Sequence, residues 1–148
     1  MPRVKIDEHK SYPFSTDLKV RVSDLNYGAH LGYDSILGLV HQARVEMFDG
    51  MGVTEIDLGD GRTGLVAADL VVTYQGEAFV NDVLEIAILP VEVGPISFRL
   101  AYRVRHRKNG KSVALMEIGF AAFDYEKRCL ARLPDVFKDG LVSMGADG

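Results

Sequence analysis

The sequence holds a single cysteine, Cys129. No internal disulfide can therefore form, and that economy fits a reducing compartment. No histidine stands close to it in sequence to make its thiol a nucleophile. No apolar run approaches the roughly 18 residues of a membrane span, and the first residues lack the apolar stretch of a secretory signal. A soluble, cytoplasmic protein without membrane contact is expected. Positive charge is short: 17 Lys and Arg face 21 Asp and Glu, a net charge of −4. Nucleic-acid binders draw most of their affinity from neutralising phosphates and carry a basic surplus or stripe, so no nucleic-acid partner is expected. No pair of His or Cys has metal-ligand spacing, and no metal is expected. The chain has no G-x-x-x-x-G-K-[ST] phosphate loop, no G-x-G-x-x-G after a strand and no G-x-S-x-G serine elbow. No cofactor is expected.

What is present suits one globular domain. The 148 residues are 47% apolar and 26% charged, enough to bury a core without staples. One domain over 1–148 is expected, with its core at about 14–137. Met1 to Ser11 reads as polar and irregular, and Ser143 to Gly148 as a flexible tail. Thr16 to Ser23 alternates Leu18, Val20 and Val22 with Asp17, Lys19 and Arg21, the pattern of a half-buried strand. A helix is predicted from Tyr33 or Asp34 to Phe48. Ile36, Leu37, Val40, Ala43 and Met47 form its apolar face, which Leu39, Val45 and Phe48 extend almost all round, so other structure should wrap it. Gly38 in its middle costs about 1 kcal/mol against alanine, a choice that close packing against a neighbouring backbone would explain. Asp49-Gly50 and Gly52 supply the stop.

Asp57 to Gly64 reads as a mobile connection. Strands follow at Leu65 to Tyr74, Val83 to Val91, Ser97 to His106 and Ser112 to Tyr125. The third and fourth of these join through the hairpin signal Asn109-Gly110, and Asp135 to Met144 reads as a closing partial helix. One strand, one long apolar helix and four consecutive strands point to an α+β fold, an antiparallel sheet with the helix packed on one face. Arg103, Arg105, Arg107, Lys108 and Lys111 form the only basic cluster. It is either a solvated hairpin end or a local site for an anionic ligand.

Chemistry concentrates in Ser23-Asp-Leu-Asn-Tyr-Gly-Ala-His-Leu-Gly-Tyr-Asp34. Two carboxylates, an amide, a histidine and two tyrosines lie in this stretch, which ends on a helix N-terminus. Free N–H groups there, with the helix dipole, would stabilise an oxyanion developing on a carbonyl. A nearby carboxylate or histidine would activate water or attack directly. Gly28 and Gly32 would supply unusual backbone angles. Each residue also has an ordinary role open to it: Asp34 as an N-cap, Asp24 and Asn26 as builders of an Asx-type turn, His30 as a hydrogen-bonded structural histidine, and His41 as a packing or interface residue.

Asp24, Asn26, His30, Leu31, Gly32 and Tyr33, followed by Gln42-Ala43-Arg44, fit a pattern close to D-x-[DN]-x-x-G-H-[VL]-[NG]-[NY] with a helix ending near E-A-R. Downstream, Tyr74 starts a turn, Asn81-Asp82-Val83-Leu84 matches a G-D-x-L strand entry, and Ser97-Phe98 opens the next strand. Leu133-Pro134 matches the ending. Over most of its length the chain thus resembles the hot-dog-fold thioesterases of the 4-hydroxybenzoyl-CoA thioesterase type. The resemblance implies a curved antiparallel sheet wrapped around one long central helix. It also implies a homo-oligomer, dimer or tetramer, whose protomers pair through their sheets, with active sites at the subunit interface. The implied reaction is hydrolysis of an acyl-CoA or acyl-carrier-protein thioester. In it the Tyr33 N–H polarises the carbonyl, and Ser97, Arg99 and Arg105 are candidates to hold the coenzyme A moiety. Many members place the base or nucleophile at position 26. Asn26 is no base, but it can orient water or hold the carbonyl. The working carboxylate is then Asp24 or Asp34, with Asp34 favoured for its place beside the donors, although the helix dipole weakens it as a base. The motif glycine stands at Gly28, with Ala29 directly before His30. Two other functions compete: a non-catalytic acyl-CoA-binding protein on the same fold, supported by the missing carboxylate at 26, and an enoyl-CoA hydratase.

Overall fold

A computed structural model describes residues 3–145; Met1, Pro2 and the last three residues of the expected tail, 146–148, lie outside the described residues. In chain order the elements are β1 (Phe14–Lys19), a short 3-10 turn (Val22–Asp24), α1 (Ser35–Met51), β2 (Thr63–Tyr74), β3 (Val83–Val91), β4 (Ser97–His106), β5 (Ser112–Asp124), β6 (Cys129–Leu130) and α2 (Asp135–Ser143). The strands form one antiparallel sheet in the order β1-β3-β4-β5-β2, with the short β6 also on β5. β3 and β4 occupy the spans expected from the sequence, and Gly110 turns the β4–β5 hairpin at φ 73°.

The sheet's inner face carries Leu84, Ile86, Ile88, Phe98, Leu100, Tyr102, Val104, Met116, Ile118 and Phe120, and α1 lays Ile36, Leu39, Val40, Ala43, Met47 and Phe48 against it. Phe137 of α2 closes one end, edge-on to Phe48 at 5.6 Å and to Phe98 at 5.4 Å, while Phe98 stacks on Phe120 at 5.4 Å. Each such ring contributes about 1.5–3 kcal/mol by leaving water. Arg44 enters this core from α1. Its guanidinium lies 4.8 Å from the Phe120 ring centre and hydrogen-bonds the buried Tyr102 hydroxyl (3.1 Å) and Glu55 (3.2 Å).

Several boundaries differ from the sequence reading. The first strand ends at Lys19, not Ser23, because Asp24 accepts the Arg21 N–H (2.8 Å) and curls Val22–Asp24 into a turn. Val22 is consequently 76% exposed. α1 passes through Asp49-Gly50 and stops at Gly52, which is left-handed at φ 75°. The connection 57–62 is pinned: Asp57 accepts the N–H groups of Gly59 and Gly61 at 2.9 Å each, and Asp60 accepts that of Thr63 at 2.7 Å. β2 therefore begins at Thr63. The helix is not enclosed all round by its own chain. A Cβ on Gly38 would meet nothing within 4 Å, and Val45 is 41% exposed. The close backbone neighbour expected at Gly38 is absent from the described residues of this chain.

The basic cluster is largely spoken for. Arg105 and Arg107 each hydrogen-bond the buried Glu85 at 2.7 Å, with Arg103 3.6 Å away. On the same outer face Arg103 covers the Tyr12 ring at 4.6 Å.

Candidate active site

The stretch from Arg21 to Asp34 folds as a tight loop delivering the chain onto α1. Asn26 N–H donates to the His30 carbonyl (2.9 Å), Leu25 and Leu31 pair as a bridge, and Gly32 N–H donates to the Asp24 carbonyl (2.9 Å). Leu31 N–H ties the loop to Ala78 in the β2–β3 connection at 2.8 Å. The left-handed residue is Ala29 (φ 61°) rather than Gly28 or Gly32. Those two glycines serve space instead. A Cβ on Gly32 would lie 2.8 Å from Asp34 Oδ1, and one on Gly28 would lie 3.1 Å from the His30 ring.

Asp24 is buried, and its carboxylate is consumed by Arg21: backbone N–H at 2.8 Å, Nε at 3.2 Å and Nη2 at 3.1 Å. Burial alone would raise its pKa. The hydrogen bonds from the Arg21 side chain and backbone, with the guanidinium charge, outweigh that and hold the group below the usual carboxylate range. Asn26 uses Oδ1 to accept Gly28 N–H at 2.9 Å, the Asx geometry. Because a backbone N–H fixes that oxygen, the Asn26 amide nitrogen is the other branch, and it has no partner among the described residues. His30 turns away, with Nδ1 3.2 Å from the Leu31 carbonyl and Nε2 4.0 Å from Glu77.

Asp34 caps α1 by accepting Ser35 N–H at 3.0 Å and is otherwise exposed. Gly32 C=O accepts Ile36 N–H (3.3 Å), and the Tyr33 carbonyl accepts the Tyr74 hydroxyl (2.7 Å). The N–H groups of Tyr33 and Asp34 donate to nothing among the described residues. They are free donors at the positive end of a helix of 17 residues. Asn26, Tyr33 and Asp34 line one open depression of about 480 Å³ with Ser23, Leu25, Tyr27 and Ser35; Asp24 and His30 do not line it. One carboxylate, one amide and two free N–H groups therefore share a solvent-open concavity, a set suited to polarising a carbonyl and activating water.

The residues proposed for an anionic arm lie elsewhere, on the sheet. Arg99 is held by Asp69 (2.9 and 2.6 Å) and Glu117, and Arg105 by Glu85. Ser97 is exposed at the start of β4, opposite Ala121. Sequence reasoning passed over Arg21, Glu77 and the hydroxyl of Tyr74 as parts of this site. Only the i, i+3 spacing of Arg21 and Asp24 offered a local signal; the others arrive from strands and loops distant in sequence.

A family model described as the thioesterase-like superfamily matches residues 20–141. No curated protein sequence matches the chain. Solved structures share the architecture at low identity. A 1,4-dihydroxy-2-naphthoyl-CoA thioesterase from Synechocystis is 14% identical with TM-score 0.79, over 87% of this chain and 95% of that one. The "YbaW Probable Thioesterase" of Escherichia coli is 20% identical with TM-score 0.71, over 88% and 97%. A gentisyl-coenzyme A thioesterase is 13% identical with TM-score 0.76, over 86% and 99%.

Proposed function

The chain belongs to the thioesterase-like superfamily, and from that premise we propose that it hydrolyses an acyl-CoA at the depression before α1. The family and the hot-dog fold make it a thioester hydrolase; the substrate and the residue roles are our reading. The observation that carries the reading is the pair of unpartnered N–H groups at Tyr33 and Asp34 beside an exposed carboxylate.

The thioester carbonyl oxygen takes these N–H groups, with the Asn26 amide as a further donor. Asp34 removes a proton from water as the water oxygen bonds the carbonyl carbon. The negative charge moves onto the carbonyl oxygen, where preorganised donors stabilise it more than they stabilise the ground state. Collapse re-forms C=O and breaks the carbon–sulfur bond. The thiolate leaves as coenzyme A and takes up the proton, and the acyl group departs as the free acid. Asn26 thus contributes a donor at a position where a carboxylate would contribute a base. Asp24 and His30 shape the loop.

The active unit is read as a homodimer of single-domain chains formed along β2. That strand has 12 residues, borders only β5 among the described residues, and leaves Leu70 45% exposed. A long apolar edge of this kind invites pairing. A second copy would also cover Gly38 and Val45.

Thiol release from a panel of short, long and aromatic acyl-CoAs tests the reaction. We expect release by the parent protein and its loss in Asp34→Ala. Tight ester binding without release would favour a binding protein on the same fold.

A further inference from the structure

Tyr74 stands 41 residues from Tyr33 in sequence, yet its hydroxyl reaches the Tyr33 carbonyl at 2.7 Å. In a regular α-helical start that carbonyl would accept the N–H four residues on, from Leu37. Here Leu37 N–H donates to Asp34 O instead (3.1 Å), and the Tyr33 carbonyl is left to the phenol. The peptide bonds among the described residues are trans, and a trans peptide holds its C=O and its N–H in one plane, pointing in opposite directions. Whatever fixes the Tyr33 carbonyl therefore fixes the direction of the Asp34 N–H. The preceding peptide is fixed separately, by Gly32 C=O accepting Ile36 N–H at 3.3 Å, and that sets the Tyr33 N–H. The two free donors thus have two different guides, one inside the helix and one on the sheet.

The sheet-borne guide is firmly seated. Tyr74 is the last residue of β2, opposite Ala114 of β5, and the next N–H, of Gln75, donates to Val113 O at 2.8 Å. Gly76 allows the strand to leave close beside β5, where a Cβ would lie 2.6 Å from Ser112 O. The Tyr74 ring is 49% exposed, so its aromatic body adds little to the core; the hydroxyl makes the specific contact. Burial, and to a lesser degree the neighbouring Tyr33 and Asp34, raise its pKa above the ordinary value of 10.0, so the phenol stays a donor wherever the enzyme would work.

We propose that Tyr74 is a positioning residue for catalysis, whose hydroxyl holds the Tyr33–Asp34 peptide so that the Asp34 N–H points at the developing oxyanion. The inference rests on the oxyanion reading above and adds a second, externally aimed donor to it. The phenol touches no reacting atom; it acts through the peptide.

The test is Tyr74→Phe, which removes one oxygen and keeps the ring. With an acyl-CoA that the parent cleaves, kcat should fall about tenfold while KM stays within about twofold, the pattern of a contact that is present in the ground state and strengthens in the transition state. A ketone analogue of that ester, with CH2 in place of sulfur and a ¹³C-labelled carbonyl, supplies the spectroscopic signature. Its infrared C=O band should drop in frequency on binding to the parent and recover toward the solution value in the variant. Incorporating para-aminophenylalanine at 74 restores an N–H donor and should recover most of kcat. Unchanged kcat together with an unchanged band would overturn the proposal, as would a tenfold loss that the amino analogue does not rescue. If the parent releases no thiol from any acyl-CoA, the functional reading fails instead. The band in parent and variant then still decides the role of Tyr74: a shift that depends on the hydroxyl supports it, and no such dependence ends it.

Discussion

Two aspartates ten residues apart carry opposite assignments, and substitution separates them. Asp34 is exposed and holds only Ser35 N–H, so Asp34→Asn keeps a cap of similar quality. Its loss as a base should lower kcat by about 10²–10⁴-fold with little change in melting temperature. Asp24 is the reverse case. Asp24→Asn removes the charge that Arg21 binds through three hydrogen bonds, and should cost about 1–3 kcal/mol of stability with a much smaller effect on kcat. The acid limb checks the same assignment. The folded pKa of Asp24 lies below its unfolded value, so its contribution is fully present above about pH 5 and disappears as pH falls through the folded pKa, below about 4. Melting curves of parent and Asp24→Asn should differ at pH 7 and draw together as the pH falls below about 4; a gap that does not narrow with acid contradicts the assignment. The sequence showed both carboxylates as candidates but could not rank them by environment. The partner that disarms Asp24 is an exposed arginine, and nothing in periodicity says which way an arginine turns. For Asn26, composition could say what it lacks as a base. Only the Gly28 N–H on its oxygen says which end of the amide is left free.

At the scale of elements, legibility followed the strength of the repeating pattern. β3 is a nearly continuous apolar run and β4 alternates Phe98, Leu100, Tyr102 and Val104 with Arg99, Arg103 and Arg105; turn signals bound both, and their ends were readable. β1 was misplaced because the alternation of Val20 and Val22 continues past Lys19, where a side-chain hydrogen bond of Asp24 overrides it. β6, two residues long, has no period to detect. The bulge in β2 between Ala67 and Asp69 was equally silent, although it is what sets Asp69 beside Arg99 across the top of Gly119. A Cβ at Gly119 would lie 2.7 Å from Asp69 Oδ2 and collide with the Arg99 guanidinium. Gly119→Ala should therefore push the Asp69 and Arg99 side chains apart and loosen the Asp69–Arg99–Glu117 group that ties the three strands on the outer face, with a small loss of stability because the groups that move are flexible and partly exposed. Thermal denaturation reads the loss. The double variant Gly119→Ala, Arg99→Ala should lose less than the sum of the two single changes, because both remove the same contacts.

For the whole molecule, the unfinished surface is the argument for a second copy. A helix predicted to be wrapped on nearly every side is covered by its own chain on one, with Gly38 and Val45, about two turns apart on one face, in the open. The sheet meanwhile ends in a long apolar strand whose outer edge pairs with nothing among the described residues. The sequence carried this information as an excess of apolar residues on α1, but a single chain's pattern does not distinguish burial by itself from burial by a copy. Leu70 is the sharpest place to ask. It lies on the helix-facing side of β2, opposite Ile118, and is 45% exposed. Lysine at an edge strand opposes pairing by placing a charge where a partner strand must dock. In one chain Leu70→Lys loses only a half-buried contact. In a dimer it buries an unpaired ammonium, which costs several kcal/mol, enough to shift association by about a thousandfold. Sedimentation equilibrium at micromolar concentration should give twice the 16.3 kDa chain mass for the parent and the single-chain mass for Leu70→Lys, with thiol release falling in step with the dimer fraction. A parent that sediments as one chain while releasing thiol would remove the dimer from this account, and the open side of α1 would need another explanation.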